Sequence, residues 1–325
     1  MELLAEYGLF LAKAMTLVIA VLVVVTTVVN LVRSERSRSE QPGELEVRHI
    51  NADYDQAAMT IRLAMLPNKS LKAIRKELKT RRKRGPDESR RRVFVVDFHG
   101  DLRATALNGL RQEITAILAV VRKEDEILVR LESGGGQVHA YGLAAAQLKR
   151  ITDREITLTV AVDKIAASGG YLMACVANRI LAAPFAIVGS IGVIAQLPNF
   201  NRLLKRHDVD FEQFMAGEHK RTVTLFGENT DAGRDKFQQE IEEVHGLFKD
   251  FVKTHRPQID LEPVATGEYW YGTRAVDRGL VDELITSDDY LMKASQDAEL
   301  FQVRHTGRKP LLTRLLRQGA DALAR

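Results

Sequence analysis

Cysteine is almost missing from this sequence. Its one thiol, Cys175, excludes an intrachain disulfide and leaves nothing from which to build a thiolate cluster for zinc or iron–sulfur. Other metal signatures are missing too. There is no H-E-x-x-H, and His99, His139, His207, His219, His245, His255 and His305 are scattered without an acidic partner at a telling spacing, so no metal and no cofactor is expected. The glycine-rich turn at 134–136 lacks the trailing Gly-Lys-Ser/Thr of a phosphate loop, which argues against nucleotide phosphate. Ala166 occupies the first glycine position of a G-x-S-x-G elbow around Ser168, which disfavours an α/β-hydrolase. A general excess of one charge is also lacking: 47 Lys and Arg face 43 Asp and Glu. Twelve Lys/Arg against three Asp/Glu fall in Lys69–Arg92, so the basic pI of 9.1 is a local feature and gives no nucleic-acid footprint across the fold.

What is present suffices for a core. With 325 residues, 45% hydrophobic and 28% charged, the chain is neither collagen-like nor wholly disordered, and one large domain with appendages fits best. Ala14–Val32 is a run of nineteen uncharged residues. As a helix it would span about 28 Å, close to the hydrocarbon thickness of a bilayer. It is longer than the apolar part of a signal peptide, and no small-x-small site follows Val29 before SERSRSE, so residues 1–32 are expected to be an uncleaved transmembrane anchor. Arg33, Arg36 and Arg38 follow the run and only Lys13 and the amino terminus precede it, which by the positive-inside rule favours a cytoplasmic domain. Residues 33–92 are expected to be a basic juxtamembrane linker, weakly amphipathic over Ser70–Arg84, either solvated or attached to anionic lipid.

From 93 to 300 strands and helices alternate. VFVVDF (93–98), EILVRL (126–131) and ITLTVAV (156–162) are strand patterns; 107–121 and 138–151 are amphipathic helices; 168–178 is a small-residue helix. Such units imply right-handed parallel crossovers and an α/β domain, followed by a basic tail over 301–325. A second uncharged run, Ile180–Asn201, is broken by Pro184, Gly189, Gly192 and Pro198 and is expected to form buried strands rather than a membrane span.

Ser168 follows a strand and opens the small-residue helix, where free N–H groups and the helix dipole favour a developing anion. A helix cap is the ordinary fate of such a serine. Ala166-Ala167 before it and Gly169-Gly170 after it, however, leave the hydroxyl uncovered for a substrate carbonyl. The turn Glu132-Ser133-Gly134-Gly135-Gly136, between a strand and a helix, is a candidate oxyanion hole.

The segments ESGGGQVHAYGLA, VDKIAASGGYLMACVAN, APFAIVGSIGV, AGEHKRTVTLFGENT and ATGEYWYGTRAVDRGLVDEL, in this order and spacing, resemble the signal peptide peptidase A family of serine peptidases over residues 93–300. The resemblance implies a ClpP/crotonase-like fold and a Ser/Lys dyad. By motif matching, Ser168 is the nucleophile, Lys220 the general base, and Ser190 the serine that orients the lysine amine; Gly135 and the N–H of Gly169 form the oxyanion hole. Gly134 stands where the family turn carries proline, which loosens the turn. A lysine base must be desolvated or set near other cations, because its ordinary pKa of about 10.4 keeps it protonated at neutral pH. The resemblance further implies a protein of the bacterial cytoplasmic membrane with its domain in the periplasm, opposite to what the arginines suggest. It also implies signal-peptide remnants or unfolded membrane or exported proteins as substrates, and a homo-oligomer in which one chain's lysine serves its neighbour's serine. The alternatives are a crotonase-type acyl-CoA enzyme on the same fold and a non-catalytic membrane scaffold.

Overall fold

Side chains alternate with period two along the first central strand, so its two faces must be covered separately. Phe94, Val96 and Phe98 belong to one buried cluster, Val93 and Val95 to another on the opposite side. The computed structural model describes residues 43–65 and 86–306, besides a few isolated positions between Lys13 and Thr26. The chain divides into two compact units, Val47–Arg304 and the chain ends outside it, and the candidate site lies within the first.

In chain order, β1 (Glu44–His49) leads into α1 (Ile50–Met65), then β2 (Arg91–Gly100), α2 (Leu107–Leu118), β3 (Glu126–Ser133) and α3 (Val138–Thr152). Next come β4 (Thr157–Val162), β5 (Ile165–Ala167), α4 (Gly169–Ala174), β6 (Arg179–Ala182), β7 (Ile187–Gly189) and α5 (Asn201–Arg206). The chain continues through α6 (Asp231–His255), β8 (Tyr269–Tyr271), α7 (Gly272–Asp277), β9 (Glu283–Leu284), α8 (Ser287–Ala294) and β10 (Ala298–Thr306). Strands β10-β2-β3-β4-β6-β9 lie side by side in that order, all parallel. Leu110, Ile114 and Ile117 of α2 and Ala144, Leu148 and Ile151 of α3 cover the larger cluster at helical spacing. Leu291 and Ala294 of α8 cover the other.

The feature that builds the site is a fork in β3. Its first part, Glu126–Arg130, pairs with Thr157–Ala161 of β4, whereas its last residue, Ser133, pairs with Ala166 of β5. The chain leaves β4 at Val162, turns through Asp163-Lys164 and returns beside the end of β3. There β5 continues a second branch, β5-β7-β8, with β7 and β8 antiparallel. Asp163 holds this corner by accepting from Ser287 N at 2.8 Å and Ser287 Oγ at 2.6 Å.

The mixed α/β sheet agrees with the α/β class read from sequence, and the run Ile180–Asn201 supplies the buried strands β6 and β7. The stretch expected to be a linker over 33–92 differs. Part of it folds as β1 and α1, because Asn51 Nδ2 donates to the carbonyls of Ser295 and Ala298 while its Oδ1 accepts from Leu300 N. His49 bonds Glu299 at 2.6 Å. The partners are some 250 residues away, so no local pattern reveals them. Strand β10 likewise runs past the expected boundary at 300. The expected anchor, the Ser70–Arg84 stretch and the tail from 307 lie outside the described residues, apart from the isolated positions already noted. Among the described residues, no helix is long and apolar enough to cross a membrane.

Candidate active site

Parallel register brings two serines together. Ala167 of β5 is opposite Gly189 of β7, so Ser168 and Ser190 are the next residues on adjacent parallel strands. The Ser168 N–H donates to the Gly189 carbonyl at 2.8 Å. Both serines have a positive φ, 51° at Ser168 and 50° at Ser190. With ψ −120°, Ser168 takes the conformation that glycine prefers at the first central position of a type II′ turn. A side chain held there costs on the order of 1–3 kcal/mol and persists only where its surroundings enforce it. They do so here through the bond to Gly189 and through Leu172 N, which donates to the Ser168 carbonyl at 3.0 Å. The Ser168 side chain makes no capping bond to α4, so its hydroxyl is not spent as a helix cap.

The glycine turn closes over this serine. Gly135, at φ +88°, is so close that an added Cβ would lie 2.7 Å from Gly169 N, 2.8 Å from Ser168 Cβ and 2.9 Å from the Ala167 carbonyl oxygen. Gly169 is the first residue of α4, where an N–H has no acceptor within its own helix. The Gly135 N–H donates to Ser133 Oγ at 3.1 Å. Ser190 is held by its N–H to the Glu268 carbonyl at 2.7 Å, and its Oγ donates to the Gly267 carbonyl at 3.2 Å.

The structure thus brings Ser168, Ser190, Gly135 and Gly169 together, and no hydrogen bond joins Lys220 to them. Lys220 lies in an exposed bend, its N–H donating to the Gly217 carbonyl at 3.2 Å, and its ammonium makes no hydrogen bond or ion pair with a described residue. From Gly192 to Thr230 no residue is buried, although the segment carries Ile194, Leu203, Phe211, Phe214 and Met215, with Phe214 90% exposed.

Cys175 is excluded as a nucleophile. Burial pushes its thiol up to about 12, and its Sγ donates to the Leu172 carbonyl at 3.2 Å. Among the described residues no group of acidic, histidine and cysteine side chains has the makings of a metal site. A cavity of about 300 Å³ does open at the carboxyl ends of β2, β3 and β4, but neither serine lines it. Both of its cations are paired within it: Arg130 bonds Asp97 at 2.6 and 3.0 Å, and Lys164 bonds Glu132 at 3.0 and 3.1 Å.

Sequence reasoning missed Tyr141, which stands behind the glycine turn. Ser133 Oγ lies 2.5 Å from Tyr141 Oη, and Tyr141 donates to the Asp101 carbonyl at 2.8 Å. The available signal was a tyrosine in the first turn of α3, among alanines and glycines, in a helix whose other buried positions are mostly small or aliphatic.

A serine set in a strained turn, beside a glycine loop and the opening of a helix, on a forked α/β sheet, is an arrangement a serine peptidase can use. Residues 2–148 match the model for the peptidase family S49 N-terminal region and residues 150–301 that for peptidase family S49, and the chain belongs to this family. Within it the chain is SohB-like: it is 44% identical to the probable protease SohB of Haemophilus influenzae, over 99% of this chain and 94% of that one. It is 53% identical to the probable protease SohB of Buchnera aphidicola from Acyrthosiphon pisum, over 70% of this chain and 67% of the other. Among solved structures it is similar to a mutant of a membrane-bound stomatin-specific protease in complex with a substrate peptide. That likeness covers 72% of this chain and 99% of the other, at 14% identity and a TM-score of 0.40.

Proposed function

We propose that this protease is a membrane-anchored serine endopeptidase with a Ser/Lys dyad, on a ClpP/crotonase-like version of the forked sheet. The observation that carries the reading is the register of Ala167 with Gly189, which sets Ser168 and Ser190 side by side, both at positive φ. In the proposed reaction Ser168 Oγ attacks the carbonyl carbon of the scissile peptide and passes its proton to the neutral amine of Lys220. The N–H of Gly169, with that of Gly135, bonds the oxygen as it becomes negative. Collapse breaks the C–N bond, the lysine returns the proton to the departing amine, and a water activated by the same lysine releases the acyl group.

The lysine comes from a second copy of the chain. Its exposed position and the apolar side chains of its segment support this: a neighbour covering Ile194, Phe211 and Phe214 would also desolvate the amine, which is what a lysine base requires. The resulting homo-oligomer is anchored in cytoplasmic membrane lipid by residues 1–32. Its substrates are extended apolar peptides, such as signal-peptide remnants and unfolded membrane or exported proteins. The side of the membrane is open to a direct test, protease accessibility in spheroplasts. The arginines after the anchor favour the cytoplasm, and the family resemblance favours the periplasm.

The central experiment co-assembles Ser168→Ala and Lys220→Ala chains, each inactive alone, and measures hydrolysis of a fluorogenic peptide. Mixed assemblies pair an intact serine with an intact lysine and are expected to recover part of the activity. Cross-linked mixed assemblies that stay inactive would assign the dyad to one chain, and full turnover by Ser168→Ala would remove the nucleophile assignment.

A further inference from the structure

We infer that Tyr141 is a positioning residue for the oxyanion loop, acting through Ser133 on the amide of Gly135; this rests on the peptidase reading above. A carbonyl only accepts, so the Tyr141 hydroxyl proton must go to the Asp101 carbonyl, 2.8 Å away. The 2.5 Å contact between Tyr141 Oη and Ser133 Oγ is then donated by the serine. Ser133 Oγ in turn accepts from the Gly135 N–H at 3.1 Å. The result is a one-way relay, Gly135 N–H to Ser133 to Tyr141 to Asp101, in which each bond polarises the next.

Both hydroxyl-bearing residues are buried, Tyr141 at 1% and Ser133 at 2% exposure. The far end of the relay is fixed. Asp101 caps its own turn, its carboxylate accepting from Arg103 N at 3.1 Å, Thr105 N at 2.9 Å and Thr105 Oγ1 at 2.7 Å. Space for the relay is kept by glycines. A Cβ at Gly100 would lie 2.4 Å from Tyr141 Oη and 2.5 Å from Ser133 Oγ, and one at Gly169 would lie 2.5 Å from Tyr141 Cγ. One tyrosine therefore touches both halves of the oxyanion site, its ring against Gly169 and its hydroxyl, through Ser133, on Gly135.

The near end needs such a hold. Gly135 has no side chain to pack, its φ of +88° is one that side-chain-bearing residues rarely adopt, and glycines lie on both sides of it. A bond of 3.1 Å to a neutral hydroxyl is near the long end of the usual range and leaves the N–H able to turn toward a charged oxygen, the stronger acceptor. Without the tyrosine hydroxyl, Ser133 loses its acceptor and is free to rotate, and the peptide plane ahead of Gly135 loses its reference.

The test uses the full-length chain in detergent, with Tyr141→Phe, Ser133→Ala and the double variant beside wild type and Ser168→Ala. Peptide hydrolysis is read as kcat and KM, and hydrogen exchange of amides 133–137 by mass spectrometry. For Tyr141→Phe we expect kcat to fall about tenfold with KM changed less than about twofold, since a misdirected donor weakens transition-state binding alone. Exchange at 133–137 should quicken while that of β4 stays slow, which shows the fold intact. The double variant should be no worse than the worse single one, because both changes cut one relay. Unchanged kcat, unchanged exchange, or losses that multiply in the double variant would each overturn the inference. If the wild type fails to cleave, or Ser168→Ala cleaves as well as it, the peptidase reading falls, and the exchange result alone then decides whether Tyr141 holds the loop.

Discussion

Removing the Ser168 side chain altogether should leave a dead enzyme that is more stable than the wild type. The serine holds φ 51° and ψ −120°, a conformation that carries strain on the order of 1–3 kcal/mol for any residue with a Cβ. Ser168→Gly relieves that strain. Against it stands the greater freedom of glycine in the unfolded chain, about 0.4–1 kcal/mol. The balance is a gain of about 1 kcal/mol, or roughly 2–4 °C in Tm for a domain of this size. Ser168→Ala keeps its Cβ and so keeps the strain, and serves as the matched inactive reference. The assay is thermal unfolding of the three proteins in one detergent and buffer, followed by intrinsic fluorescence, with peptide hydrolysis measured beside it. A glycine variant that melts at or below the alanine variant would refute the claim that strain is stored at this position.

Further outcomes follow from charge. Lys220→Arg should be as inactive as Lys220→Ala in peptide hydrolysis, because a guanidinium does not give up its proton in a protein; an arginine variant with a large part of the wild-type rate would reduce Lys220 to electrostatic support. Burial alone would raise the carboxyl of Asp125, but the Arg92 guanidinium and the N–H groups of Arg122 and Arg92 hold it below the ordinary carboxylate range. Its contribution to stability is therefore complete above that range and is lost as pH falls through the lowered value. Asp125→Asn should cost about 1–3 kcal/mol at pH 7 in denaturant unfolding, and the gap from wild type should narrow as the acid is approached.

The strands and helices between 93 and 178 were legible because burial writes a period of two or of 3.6 into the sequence. Val93 to Phe98 shows this on the sheet, and Leu110, Ile114 and Ile117 show it on a helix. The serines and the glycine turn were legible as motifs. Their proximity was not, since it depends on the register of Ala167 with Gly189 and on β3 parting from β4 after Arg130, and no spacing records either. Short strands such as β5 and β8, three residues each, fall below the length at which a pattern declares itself. The relay through Tyr141 was hidden for a different reason: a buried tyrosine on an alanine-rich face reads as packing until its hydroxyl partners are known.

The fork in β3 also bears on when the site comes into being. The pairing of Ser133 with Ala166 needs a chain that has run out through β4, and Ser190 gains its backbone partner at Glu268 only when the chain is long enough to supply it. These are contacts of long sequence separation, the slow and late part of folding. A chain still being made, or one that has lost its tertiary structure, carries Ser168 as an ordinary serine in a flexible segment, with neither the strained backbone nor the glycine turn around it. For a protease this is a safeguard built from topology: the strained setting of Ser168 arrives with the finished domain and disappears when the domain unfolds.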